Sequence, residues 1–219
     1  LAERLQMMRD LAIVEAVGGR FHVDQVSTAL GLETLRRAKR RNVAVTAGAS
    51  IHHLTLNEFD IGDYRTFFKV KPPLRAEDDR QALVAAVASG EVDIISSMHT
   101  PQSEEDKRLP FAEAASGAVA LETLLPAALR LVHAGALDLP ALFRALSYNP
   151  ARLLRLDTGR ISPGAPADLV LFNPNTPFVL NREHLASKSR NTPFDLQRMQ
   201  GRVLKTLVGG AVVFERPEK

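Results

Sequence analysis

The sequence predicts an α/β fold in two parts, repeating βα units over residues 1–157 and a small β-module over residues 158–219. Three observations carry this. Through the first part, helical apolar spacing alternates with short strand-like runs, the grammar of parallel strands joined by helices. Near Thr158 that spacing gives way to Gly/Pro turns and strands. No Gly-x-Gly-x-x-Gly follows a strand, so a dinucleotide-binding sheet gets no support.

The elements follow in order. Residues 1–17 place apolar side chains at 1, 5, 8, 11, 12 and 14, a helical face that Gly18-Gly19 stops. Arg20 to Val26 reads as a strand. Ser27-Thr28 caps a helix from about Ala29 to Arg40, Asn42 closes it, and Val43 to Ala47 is the second strand. After Gly48, residues 51–58 read as extended, so the adjacent His52 and His53 point opposite ways and one of them hydrogen-bonds in the core. A further strand is open around Phe67 to Val70. Pro72-Pro73 forbid helix there. Glu77 to Ser89 is a helix with acidic residues in its first turn, ended by Gly90, and Asp93 to Ser97 is the next strand. The mixed-charge run Glu104 to Arg108 reads as solvated surface. Helices follow at about Val119 to His133 and Pro140 to Leu146, with a helical turn from Asn149-Pro150 to Leu156. In the β-module, Gly159 to Phe172 is turn then strand, Leu185 to Gln200 is polar and irregular, and a hairpin turns at Gly209-Gly210. Three or four parallel strands make half of an eight-stranded barrel or part of an open doubly wound sheet.

Composition narrows the class. The chain has 219 residues, 45% hydrophobic and 24% charged, as in ordinary globular proteins. With no cysteine, disulfides and thiolate metal sites are out, and His, Asp and Glu are left as metal ligands. A formal charge of +3, without clustered Lys/Arg and interleaved aromatics, gives no nucleic-acid surface. No apolar run approaches the roughly 18–20 residues needed to span a bilayer, and no signal-peptide pattern opens the chain. A cytoplasmic protein is expected. Leu1 is not a natural initiator, so the chain is expected to begin within a larger protein.

The stretch Asp93-Ile94-Ile95-Ser96-Ser97-Met98-His99-Thr100-Pro101-Gln102 is a short apolar strand running into a polar loop with a histidine. Such strand ends are where α/β barrels keep their chemistry. Gly-x-Ile-x-x-Gly-x-x-Ala-Asp-Leu-Val-x-Phe from Gly159 to Phe172, with Val203 to Gly210 after it, resembles the C-terminal module of the cyclic amidohydrolases. Ile51 to Leu56, Lys69 to Arg75, His99-Thr100-Pro101 with Lys107 to Phe111, Gly117 to Thr123, and Ser187 to Phe194 resemble the dihydroorotase family in particular. The resemblance covers essentially the whole chain. It implies the second half of a TIM-type (β/α)8 amidohydrolase barrel plus most of a small C-terminal β-sandwich module. The family's early His-x-His pair and bridging lysine are not in this sequence.

The resemblance also implies one or two divalent metals, usually zinc, which activate a water, and an aspartate that binds metal and shuttles a proton. That aspartate belongs to an Asp-His-x-Pro-His motif, where this chain has Met98-His99-Thr100-Pro101-Gln102. Met98 cannot take a proton and its thioether is a poor zinc ligand; Gln102 replaces a substrate-contacting histidine. In His22-Val23-Asp24-Gln25-Val26-Ser27-Thr28, Gln25 stands at a metal-histidine position, and by strand alternation Asp24 and His22 face the other way. Lys71 stands where the family's Pro-Pro-Leu-Arg motif usually begins with asparagine. No catalytic residue and no metal ligand is therefore intact, and the chain's own cofactor is either zinc, by resemblance, or none.

Candidate substrate-binding residues remain. His99 lines a site or is a structural loop histidine. Arg75 forks onto a substrate carboxylate or pairs with a carboxylate of the protein. Gly117 brings backbone N–H groups to an anionic ligand or merely starts a helix. His22 reads as a satisfied core or surface histidine, and His133 and His184 as helix-end and loop residues with no role. The resemblance supports two functions, with an amidohydrolase of another cyclic amide substrate and a reduced metal site as a third option. One is a dihydroorotase-like enzyme of pyrimidine biosynthesis that interconverts N-carbamoyl-aspartate and dihydroorotate. The other is an inactive homologue that serves as a structural partner of aspartate transcarbamoylase. Half a barrel leaves open strand edges and an apolar face, so the chain is expected to pair with an N-terminal half or to self-associate.

Overall fold

The computed structural model describes residues 1–217, so positions 218 and 219 of the expected β-module lie outside the described residues. The N-terminal helix α1 (Ala2–Val17) sends Met7 and Leu11 into the core. Strand β1 (Phe21–Val23) leads to α2 (Ala29–Arg40), capped by Thr28, whose side chain accepts from the Gly31 N–H. Glu3 of α1 adds a carboxylate at the same helix start, accepting from the N–H groups of Ser27 and Thr28 at 3.2 and 3.1 Å. A negative charge is favoured there by the unpaired amides of the first turn.

Strand β2 (Val45–Ser50) lies between β1 and β3 (Ile94–Ser96), and both pairings are parallel, Phe21 opposite Val45 and Gly48 opposite Ile94. All three strands therefore end on one side. Val45, Ala47 and Ala49 join a core with Leu32 and Leu35 of α2 and with Leu83 and Val87 of α4 (Glu77–Ala88). The βα alternation agrees with the sequence-based expectation of a mixed α/β architecture.

Several local expectations are corrected. Strand β1 stops at Val23 rather than Val26, because the chain turns and the Val26 N–H donates to the Gly48 carbonyl at 2.9 Å. Residues 51–55 are not extended but form the short helix α3 (Ile51–Thr55), started by Ser50, whose hydroxyl accepts from the His52 N–H. Residues Thr66–Phe68 make a 3-10 turn instead of a fourth strand, and the Lys71–Pro72 peptide is cis. The run Glu104 to Arg108 is a helix, α5 (Glu104–Arg108), capped by Ser103, and its Lys107 is buried. Helix α6 (Leu124–His133) starts five residues later than expected. Helix α7 (Leu139–Phe143) passes through a π-helical turn at Arg144–Tyr148 into α8 (Asn149–Leu154).

The C-terminal part is a three-stranded antiparallel sheet of β4 (Leu169–Val179), β5 (Arg198–Val208) and β6 (Ala211–Glu215), with the hairpin turn at Gly209-Gly210. Among the described residues this part is a single sheet, whereas a sandwich needs two. Residues 185–197 are irregular as expected, but Arg198 to Gln200 already belong to β5, and the segment is not a polar surface: Leu185, Asn191, Thr192 and Phe194 are buried. Among the described residues no helix is long and apolar enough to cross a membrane.

Where β5 meets α6 the fit is tight. Gly201 has φ +101, and a Cβ built there would lie 2.2 Å from Cδ1 of Leu129. Replacing Gly201 by Ala adds both backbone strain and overpacking, so Gly201→Ala is expected to lower the unfolding free energy by about 2–4 kcal/mol in a denaturant titration. An unchanged midpoint would show that Leu129 moves aside freely.

Candidate active site

The carboxyl ends of the three parallel strands surround a cavity of about 240 Å³. Gln25 enters it from the turn after β1, Ser50 from the end of β2, and Met98 from the loop after β3. His52 and His53 of α3 form one wall and Lys71 stands on another. A larger cavity of about 550 Å³ lies at the opposite ends of the strands, with Arg20, Phe21 and Thr46 in its lining. The smaller one is the candidate, because loops after parallel strands carry the chemistry of such sheets.

Met98 sits at φ +46, a left-handed conformation that a side chain other than glycine adopts at some cost. The expected alternation of Asp24 and Gln25 does not apply, since the strand has ended before them and residue 24 is a bend. His22 stays on β1, and its Nδ1 shares a 2.8 Å hydrogen bond with the Thr46 hydroxyl.

The two adjacent histidines both turn inward, because they stand on a helical turn rather than a strand. His53 Nε2 lies 3.1 Å from the carbonyls of Pro72 and Pro73, so it carries the proton and Nδ1 is a bare acceptor. His53 Nδ1 and His52 Nε2 are both buried without a hydrogen-bond partner. His52 stacks on Phe194, ring centroids 6.0 Å apart, and Ser50 Oγ lies 3.2 Å from its Nδ1. Burial, helped by neighbouring His53, holds the His52 pKa down to about 3. Burial likewise lowers that of His53.

The structure brings Gln25, Met98 and Gly117 together at the cavity, but not His99 or Arg75. His99 Nδ1 accepts from the N–H groups of Ala120 and Leu121 at 3.0 and 3.3 Å, which fixes the turn before α6. Arg75 donates from Nε to Ser27 Oγ at 3.0 Å and lies 3.8 Å from the Glu3 carboxylate. Gly117 gives its N–H to the Lys69 carbonyl at 2.9 Å rather than to the cavity, and a Cβ on it would lie 2.7 Å from the Thr100 carbonyl oxygen. Gln102 reaches the Ser116 carbonyl at 3.0 Å.

One residue read as solvated surface supports the site. Lys107 is 3% exposed, and its ammonium donates to the carbonyls of Thr66 at 2.9 Å and Ala115 at 2.8 Å. It thereby joins the loop before Lys71 to the loop before Gly117. Burial and then the Lys69 ammonium pull its pKa down to about 8. The only sequence signal was its place in a motif, since a Glu-Glu-Asp-Lys-Arg run otherwise looks exposed.

The donor chemistry does not fit a divalent metal. Among the described residues no group of three or more His, Cys, Asp or Glu is placed to hold one. The lining offers an amide, a thioether and an ammonium beside the two histidines, and the ammonium repels a dication. The arrangement offers hydrogen bonds and one positive charge.

The profile of the amidohydrolase family matches residues 13–213. The dihydroorotase of Anaeromyxobacter dehalogenans is 42% identical over 216 residues, covering 98% of this chain and 50% of that protein. The dihydroorotase of Desulforapulum autotrophicum is 40% identical over 215 residues, with coverage of 98% and 50%. Among solved structures, the L-hydantoinase (dihydropyrimidinase) from Arthrobacter aurescens matches with a TM-score of 0.93 at 27% identity, over 98% of this chain and 49% of that one. The chain spans about half the length of the curated relatives it matches.

The buried neutral state of His52 has a pH signature. Its folded pKa of about 3 lies below the ordinary 6.5, so the unfolded chain binds the extra proton between those values. The associated stability is complete above pH 6.5 and is lost as pH falls towards 3, at about 1.4 kcal/mol per pH unit for one proton. Denaturant titrations across that window should show a shallower acid limb for His52→Gln. An unaltered limb would place the acid sensitivity in other groups.

Proposed function

The chain belongs to the amidohydrolase family, and from that premise we propose that it is part of a dihydroorotase-like protein of pyrimidine biosynthesis whose cavity no longer runs metal-dependent ring opening. Members of the family are generally metal-dependent. The observation that carries the proposal is the lining of the cavity, with Gln25, Met98 and Lys71 at the strand ends and no carboxylate. In this reading the parallel strands form part of a (β/α)8 barrel and the C-terminal sheet part of a β-sandwich. The protein acts as a structural partner of aspartate transcarbamoylase.

A second reading is favoured by the 42% identity to a dihydroorotase along almost all of the chain. The protein then interconverts N-carbamoyl-aspartate and dihydroorotate, and zinc is held by residues outside this chain.

Two measurements on the full-length protein separate them. Ring opening of dihydroorotate is assayed with zinc added, and co-purification with aspartate transcarbamoylase is tested in parallel. The first reading expects no turnover above background and a stable complex. Turnover by the protein alone, with stoichiometric zinc, would establish the second and end the first.

A further inference from the structure

Lys107 ties together two stretches far apart in the chain. Its Nζ lies 2.9 Å from the Thr66 carbonyl and 2.8 Å from that of Ala115, with the Lys69 carbonyl at 3.5 Å. The Thr66 hydroxyl returns a bond to the Lys107 carbonyl. The Gly117 N–H donates to the Lys69 carbonyl at 2.9 Å. Residues 66–69 and 115–117 are thus held as one wall, and Lys71, Ser116, Gly117 and Ala118 carry it into the lining of the cavity.

The seat around Nζ fits a neutral amine. An ammonium has three protons and an amine two. Two carbonyls stand close, and the third is at the limit of a hydrogen bond. No carboxylate is among these partners. On its own helix Glu104 is bound to Arg108, Asp106 to the Ser103 hydroxyl, and Glu105 lines the cleft beside Lys107. Towards the cavity stand Lys69, donating to the Ala112 carbonyl, and Arg65, donating to that of Asp60. Glu113, in the segment that Lys107 grips, is exposed. Across the cleft are Lys188, Arg182 and Arg190, with Glu183 at 3.1 Å from Arg182 and 3.8 Å from Arg190. Burial and then the Lys69 ammonium lower the Lys107 pKa from 10.5 to about 8. The cleft of about 270 Å³ that Lys107 helps to line holds about nine waters at about 30 Å³ each, so a charged amine has a hydrated place beside its seat.

We propose that Lys107 is a proton-controlled latch: as a neutral amine it closes residues 66–69 against 115–117, and as an ammonium it favours a form in which this wall parts and the charge turns into the hydrated cleft. The sign follows from proton binding. A hydrated Lys107 has its ordinary value, so between pH 8 and 10.5 the parted form binds more protons than the closed one. Raising the pH through that window therefore favours the closed form, by at most about tenfold per pH unit. Below the window both forms carry the proton and the wall is at its loosest. Asn191, whose amide donates to the carbonyls of Gly117 at 3.0 Å and Thr100 at 3.3 Å, does not titrate and serves as the hinge. The device is indifferent to whether the cavity is catalytic, so it stands or falls apart from the proposed function.

Hydrogen exchange on the full-length protein tests it, with rates corrected for the pH dependence of unprotected amides. The reporter is the Gly117 N–H, and the Val26 N–H, bonded to the Gly48 carbonyl, is the control outside the wall. Protection of Gly117 should rise several-fold or more per pH unit above about pH 8, while Val26 stays level. In Lys107→Met the Gly117 protection should be flat with pH, with Val26 reporting that the sheet is intact. The wild-type series decides by itself if that variant does not fold. Gly117 protection that is level or falls with pH in the wild-type protein would overturn the proposal, as would a Lys107 side chain titrating at 10.5 by carbon NMR. A pH-dependent rise that persists in a folded Lys107→Met would assign the effect to another group and overturn it too.

Discussion

The candidate site depends on how closely the chain crowds β2. A Cβ on Gly48 would lie 2.6 Å from the Asp24 carbonyl oxygen, closer than real atoms approach, so only glycine lets the turn after β1 fold over the central strand. The Val26 N–H then reaches the Gly48 carbonyl, and Gln25, between these two anchors, is carried to the strand ends. On the other side of β2, Asp93 clamps the start of β3. Its N–H donates to the Ala47 carbonyl at 2.8 Å, and its carboxylate accepts from the Ala47 N–H at 2.9 Å and from Lys39 at 3.1 Å. Asn149 donates to its carbonyl at 2.7 Å. With both neighbours fixed against β2, Met98 emerges at a defined place beside Gln25.

A second set of bonds fixes the loops. The buried Lys107 ammonium gathers carbonyls from residues 66 and 115, and Asn191 donates to the Gly117 carbonyl at 3.0 Å while its oxygen accepts from the Gln102 N–H at 3.3 Å. A buried ammonium without a carboxylate is tolerable only because carbonyl oxygens satisfy its protons. Gln25 and Lys71, by contrast, have no side-chain bond to the scaffold among the described residues. Shape and chemistry are thus separable here. The side chains that face the cavity can change while the bonds that shape it remain.

The sequence made some of this legible, for identifiable reasons. Helix α2 was read at its observed bounds, because Thr28 caps it and its apolar residues recur at helical spacing. The hairpin at Gly209-Gly210 and the three parallel strands were signalled just as locally. What escaped depends on partners far along the chain. Helix α3 has only five residues and owes its start to Ser50, so its histidines were placed on an extended segment. Lys107 is buried by carbonyls that no charge pattern can reveal. Arg75 found its carboxylate in Glu3, at the other end of the chain segment, and His99 found backbone amides at the turn before α6. Position within a motif marked Gln25 and Met98, but it does not report which way a side chain turns.

The electrostatic consequence follows from these placements. A carboxylate and imidazoles together hold a dication; the thioether, amide and ammonium of this lining carry one positive charge instead. Two unit charges about 4 Å apart interact by about 4 kcal/mol at an effective dielectric near 20, and a dication doubles the interaction. That exceeds the contribution of any single neutral hydrogen bond, about 1 kcal/mol. Burial keeps the imidazoles of His52 and His53 neutral at ordinary pH, so they add no charge to that of Lys71. Among the described residues Lys71 alone charges the lining, and the groups around it contribute shape and neutral hydrogen-bonding atoms.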